Sequence, residues 1–157
     1  MPRIPTPTYA FALVVVRKDD RFLLVQERKH DEGWYLPAGQ VDPGERIVDA
    51  AVRETREEAG VPIALDGVLR VEHTPRADGS ARLRVFFVGH PVDDTPPKSV
   101  PDHESLGAAW YRLGEVDALK LRGDEVRDLL EWVERGARVW PLEVLGDETT
   151  GWGRDSA

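Results

Sequence analysis

Between residues 39 and 61 the chain reads Gly39-Gln-Val-Asp-Pro-Gly-Glu45, seven further residues, then Arg53-Glu-Thr-Arg-Glu-Glu-Ala-Gly-Val61. Glu54, Glu57 and Glu58 stand at i, i+3 and i+4, so on a helix they occupy about a third of the circumference. Three carboxylates that close repel one another, and the arrangement costs stability unless something positive sits among them. Hard divalent cations with oxygen ligands are the natural complement. A solvated acidic helix face is the competing reading of any E-x-x-E-E. Gly39 and Gly44 before the triplet and Gly60 after it favour a tight turn into the helix and a C-cap behind it.

The rest of that helix must seat it. Val48, Ala51, Val52, Thr55 and Ala59 form an apolar stripe apart from the carboxylates, and Asp49, Arg53 and Arg56 take the remaining arc. Upstream, Tyr9 to Arg17 is rich in β-branched and aromatic residues and reads as a buried strand. Arg21 to Glu27 returns from a turn at Lys18-Asp19-Asp20 as the second strand of a hairpin. Trp34-Tyr35-Leu36 is a short extended piece ended by Pro37. The acidic helix spans about Arg46 to Ala59. Strands follow at Leu65 to His73, Ala81 to His90 and Ala108 to Leu113, with a Pro/Asp-rich loop from Pro91 to Asp102. Gly123 to Glu134 carries Val126, Leu129, Leu130 and Val133 at helical spacing.

With 157 residues, 41% hydrophobic and 32% charged, the chain suits one ordinary globular domain. A net charge of −8 argues against a nucleic-acid polymer or an anionic membrane surface as partner. A local positive patch for a phosphorylated small molecule stays open. The absence of cysteine removes disulfides and thiolate zinc sites. The apolar run Phe11 to Val16 is too short for a bilayer span of about 20 residues, so the expectation is a soluble, cytoplasmic protein.

The acidic stretch resembles the Nudix box, whose pattern is G, five residues, E, seven residues, R-E-(apolar)-x-E-E-x-G-(apolar). Gly39, Glu45, Arg53, Glu54, Glu57, Glu58, Gly60 and Val61 match it, and Thr55 alone departs. The element order resembles the Nudix fold over about Tyr9 to Arg135. That resemblance implies an α/β/α sandwich around a mixed β-sheet, with the box as its loop–helix–loop. The domain would cover 9–135, with 1–8 as an N-terminal extension and 136–157 as a tail, docked in part and disordered at its end.

The resemblance also implies the chemistry. Nudix enzymes cleave nucleoside diphosphates linked to another group, using Mg²⁺ or, as an alternative, Mn²⁺. Carried onto this chain, Glu57 and Glu58 would be direct metal ligands, and Glu54 a ligand or the group that orients water. Arg53 would be an internal support paired with Glu45 or a neighbouring carboxylate, against the plainer reading of an exposed i,i+4 pair with Asp49. The carbonyl of Ala38, in Leu36-Pro37-Ala38-Gly39, takes the place of a backbone metal ligand. Glu104, six positions before Trp110, resembles the E-x5-W pattern that supplies a further ligand or water-activating carboxylate; Asp102 is the runner-up.

Fainter signals concern the substrate. Arg28, Lys29 and His30 could meet a phosphate or be a solvated loop. Trp34 reads as packing before base stacking, and Arg84 faces solvent or substrate. His73 and His103 lack partners at a metal-site spacing. Ala108-Ala-Trp-Tyr111 with Gly33-Trp-Tyr-Leu-Pro-Ala-Gly39 resembles the branch that removes one phosphate from oxidised purine nucleoside diphosphates. Pro75 instead resembles members that cleave ADP-ribose, and nucleotide sugars stay open beside it. A nucleotide-sensing domain without turnover and an interaction module using the tail complete the alternatives, and a homodimer through that tail stays open.

Overall fold

The computed structural model describes residues 1–152 of the 157. Its elements run β1 (Thr8–Lys18), β2 (Arg21–Glu27), β3 (Trp34–Tyr35), β4 (Ala38–Gln40), α1 (Ile47–Ala59), β5 (Ile63–Pro75), β6 (Ala81–Pro91), β7 (Ser105–Arg112), α2 (Leu113–Val116) and α3 (Glu125–Glu134). The strands form one mixed sheet in the order β3-β2-β1-β6-β5, with β4 added to β1 and β7 to β2. Among the described strands only β1 and β6 pair in parallel, from Thr8 opposite Ala81 to Val16 opposite Gly89. The last strand starts at Ser105, three residues before the expected Ala108, because Ser105 pairs with Glu27 beyond a bulge at Leu106 of β7. The single-turn α2 had no signal in the hydrophobic pattern.

Period-two alternation along β1 and β2 builds a core on each face of the sheet. Ala12, Val14, Val16, Leu23 and Val25 meet α1, together with Val85 and Phe87. Leu13, Val15, Phe22 and Leu24 meet Val126, Leu130 and Val133 of α3, together with Phe86. Helices on both faces of a mixed sheet make the expected sandwich. No helix among the described residues is long and apolar enough to cross a membrane.

The chain after α3 returns to the sheet edge. Val68 and Trp140 exchange two backbone hydrogen bonds of 2.8 Å, and Leu142 and Leu145 pack on the α1 side of the core. Gly67 permits the approach, since a Cβ there would lie 2.3 Å from the Trp140 carbonyl oxygen. The end of the tail, expected to be disordered, lies beyond residue 152 and outside the described residues.

Candidate active site

The buried face of α1 is made of small side chains: Ala50, Ala51, Ala59 and Thr55 are all fully buried. Their size lets the helix lie close on β1. The Thr55 hydroxyl donates to the Ala51 carbonyl at 2.9 Å, which satisfies the one polar group on that face. Val52, expected in the stripe, is exposed instead. At about 100° per residue, Glu54 and Glu58 fall between Ala50 and Ala51 on the helix wheel. The carboxylates and the apolar seat therefore share one arc, where the sequence reading set them apart, and Val52 lies beyond its edge.

Close seating presses the two carboxylates onto β4. Glu58 Oε2 accepts from the Ala38 N–H at 2.9 Å. A Cβ on Gly39 would sit 1.9 Å from the Glu54 carboxyl carbon. Gly39 is thus required for this contact and not for a turn; it lies extended in β4, paired with Ala12. The left-handed residue of the loop is Gly44, at φ 80°, and Gly60 at φ 73° caps the helix.

Arg53 gathers the box. Its Nε and one terminal nitrogen donate to the two oxygens of Glu45 at 2.7 and 2.8 Å, a bidentate fork. The other terminal nitrogen reaches Glu54 at 2.7 Å and Glu57 at 3.0 Å. Asp49 is not among these partners. The guanidinium holds the Glu45 carboxyl down to about 2. Glu57 is the most solvent-exposed of the triplet, with 43% of its side chain accessible, and sits outside the cavity that the others approach.

That cavity, of about 490 Å³, is lined by Ala38, Gly39, Glu58 and Glu104 on the acidic side. Burial, opposed by the Ala38 N–H and reinforced by the charges of Glu54, Glu27 and Glu104, pushes the Glu58 carboxyl up to about 8. Burial likewise raises Glu54. Carboxylates whose ionisation burial opposes fit a cation in their midst, although Glu54 already leans on Arg53. No three acidic or histidine side chains among the described residues converge tightly enough to enclose one alone. An open donor set of this kind suits Mg²⁺, which keeps waters and takes substrate phosphates as ligands. Glu54, Glu58 and Glu104, with the Ala38 carbonyl, are the groups that could hold it.

The loop acids divide clearly. Asp102 Oδ2 accepts from Lys98 at 2.6 Å, while Oδ1 accepts from the N–H groups of Glu104 and Ser105 at 2.9 and 3.1 Å. Those bonds hold its carboxyl well below the usual range. Glu104 lines the cavity and is paired with the exposed His103 at 2.8 Å.

Basic and aromatic groups line the remainder. Arg28, Lys29 and His30 stand at the cavity, on a turn in which His30, Asp31 and Glu32 all have φ between 55° and 61°. Three successive non-glycine residues in that region store strain. Arg84 lines the cavity while pairing with Glu72 at 2.6 Å. Trp34 stands off the cavity, edge-on to Tyr111 with ring centroids 5.1 Å apart.

Several lining residues escaped the sequence reading: Glu27, Tyr35, Arg82 and Arg122. Arg122 lies 4.5 Å over the Tyr35 ring and donates to Glu27 at 2.8 Å. It is carried there by backbone bonds between Trp34 and residues 120 and 122. Alternation along β6 could have flagged Arg82 beside Arg84; nothing local marks Arg122.

A model of the NUDIX domain matches residues 6–133. Over 126 residues the chain is 36% identical to "8-oxo-dGDP phosphatase NUDT18" of Homo sapiens, covering 78% of this chain and 38% of that protein. Against phosphatase NudJ of Escherichia coli (strain K12) it is 29% identical over 135 residues, covering 85% and 87%. A solved NUDIX hydrolase from Nitrosomonas europaea superposes with a TM-score of 0.74 at 31% identity, covering 90% of this chain and 97% of that one. The chain thus spans well under half the length of the human relative.

Proposed function

The chain belongs to the Nudix hydrolase family, and from that premise we propose that it is a Mg²⁺-dependent pyrophosphohydrolase of a purine nucleoside diphosphate, with oxidised guanine as the favoured base. Hydrolysis of a phosphoric anhydride bond follows from the family; the ion and the substrate are the proposal. The observation that carries it is the meeting of two unlike sets of side chains in one cavity. Glu58 and Glu104 share its lining with a set of cations, in a protein whose net charge is −8.

Those cations, Arg28, Lys29, Arg82, Arg84 and Arg122, would concentrate a phosphorylated anion against the overall charge. Glu54, Glu58, Glu104 and the Ala38 carbonyl would hold Mg²⁺, which when bound neutralises phosphate oxygens and acidifies water. Arg84 and Arg28 would grip the phosphates and fix the line of attack. Glu104 or Glu54 would take the proton lost by the attacking water as the bond to the bridging oxygen breaks, releasing orthophosphate and a nucleoside monophosphate. Tyr35 and Phe11 offer apolar surface for a base, and Glu27 an acceptor for its N–H groups.

Support for the substrate comes from the human relative's described activity on 8-oxo-dGDP and from the aromatic and polar cavity wall. Pro75 speaks less for ADP-ribose: it ends β5, beside the Arg76–Ser80 turn and outside the cavity lining. The deciding measurement is kcat/KM with Mg²⁺ for oxidised dGDP, dGDP, ADP-ribose and a nucleotide sugar. A site that hydrogen-bonds the base edge discriminates by orders of magnitude, up to about 10⁴–10⁵. Fastest turnover of ADP-ribose or a nucleotide sugar would overturn the substrate, and binding of all four without turnover would leave a sensor.

A further inference from the structure

The connection between β6 and β7 reaches the back of α1 through one residue. The Lys98 N–H donates to the Ala59 carbonyl at 2.8 Å, and the Lys98 carbonyl accepts from Ala108 at 2.8 Å. Its ammonium donates to the Glu57 carbonyl and, at 2.6 Å, to Asp102. Asp102 in turn accepts the N–H groups of Glu104 and Ser105, and its carbonyl accepts from Arg28. The Ser105 hydroxyl closes the circuit on the Glu58 carbonyl at 2.6 Å. Gly60 and Gly107 keep the space clear; a Cβ on Gly107, at φ 151°, would lie 3.1 Å from the Lys98 carbonyl oxygen.

We propose that Lys98 is a positioning residue, whose ammonium, clamped between the end of α1 and Asp102, fixes Glu104 against Glu58. The inference rests on the reading of Glu104 as a participant in hydrolysis. Without the clamp, Glu104 would be anchored from one side only, through Ser105 of β7, because residues 92–104 before it have no secondary structure of their own. Only 15% of the Lys98 side chain is exposed, and a charge so placed needs both of its acceptors. Neither Lys98 nor Asp102 lines the cavity, so their influence on turnover must pass through the residues they hold, Glu104 foremost, with Arg28 and the end of α1 beside it. A lysine near a helix C-terminus also suits the terminal carbonyls it meets.

The test is a double-variant comparison on the full chain with Lys98→Met, Glu104→Gln and the two together, following kcat, KM and thermal unfolding. Lys98→Met should lower kcat roughly 10- to 100-fold, the loss a displacement of about 1 Å can cause, with KM nearly unchanged. In the Glu104→Gln background the same change should cost nothing further, and Lys98→Arg should restore most of the rate. Losses that multiply in the double variant, or full speed in Lys98→Met beside a slow Glu104→Gln, overturn the clamp alone. A Glu104→Gln enzyme as fast as the parent overturns the reading of Glu104 and the clamp with it. Should Lys98→Met lose its cooperative unfolding transition, Asp102→Asn carries the same comparison, since it keeps the acceptor for the Glu104 N–H and removes the charge holding Lys98.

Discussion

The acidic side of the cavity comes mainly from one stretch, residues 38–58, folded back on itself by one loop and one helix, with Glu104 added by the connection ahead of β7. The cationic side is gathered from the end of β2, from β6 and from the segment before α3. The first side depends on spacing along the chain; the second depends on strand order and on which residues the sheet makes neighbours. In the function proposed above, reaction type would reside on the local side and substrate choice on the assembled one. Damage to the two should therefore be distinguishable: kcat on the acidic side, KM and preference on the other.

The largest effect is expected from Glu58→Gln. It should lower kcat about 1,000-fold, since ion-assisted charge stabilisation is worth several kcal/mol and each 1.4 kcal/mol is tenfold. The melting temperature without metal should not fall, because glutamine keeps an acceptor for the Ala38 N–H and replaces a carboxyl whose ionisation burial already opposes. Glu57→Gln should be comparably slow if that exposed carboxylate leaves Arg53 to bind the ion. Near-full activity in both variants, or with excess chelator, would break the metal reading and with it the division between the two sides.

Gly39→Ala comes next. The added methyl group falls on the Glu54 carboxylate, so kcat should drop roughly 100-fold through displaced geometry. β4 should keep its pairing, since alanine tolerates extended backbone. An unimpaired variant would show that Glu54 need not lie against β4.

Arg84→Gln probes the assembled side. KM for the nucleoside diphosphate should rise about tenfold with kcat little changed, the pattern of lost uniform binding. A fall in kcat with unchanged KM would place Arg84 in the chemistry and blur the comparison.

The smallest effect concerns stability and pH. Arg53 depresses the Glu45 carboxyl from an ordinary 4.5 to about 2. A carboxyl whose folded value is depressed stabilises the fold above its unfolded value and loses that contribution as pH falls toward the folded one. The gap in melting temperature between the parent and Glu45→Gln should therefore be full above about pH 5 and close by about pH 2. A gap that persists at pH 2 would mean that Glu45 acts through shape and not through charge.

How much was legible follows the same division. The helix from Ile47, its cap at Gly60, the pairing of Arg53 with Glu45 and the place of Glu58 beside Ala38 all lie within residues 38–60. Chain geometry nearly compels them once the helix forms. Runs of β-branched and aromatic residues likewise foretold the first strand, because burial on both faces writes a continuous apolar stretch into it. The sharing of one helix arc by Glu54, Glu58 and the alanines follows from the same spacing, at about 100° per residue, and was missed. Charge and apolarity read as separate faces until a glycine strand edge is seen to receive the carboxylates.

By itself, then, the sequence determined the family, the reaction type and the acidic half of the site, because those depend on spacings of a few residues. Only the tertiary structure decided that Asp102 is bound up in its own loop while Glu104 faces the cavity, and that Trp34 packs away from it while Tyr35 turns in. It also decided that Glu27 and Arg122 meet although 95 positions separate them. Such pairs form when strand order closes long loops, and no local pattern in a single chain records which distant residues that closure will join.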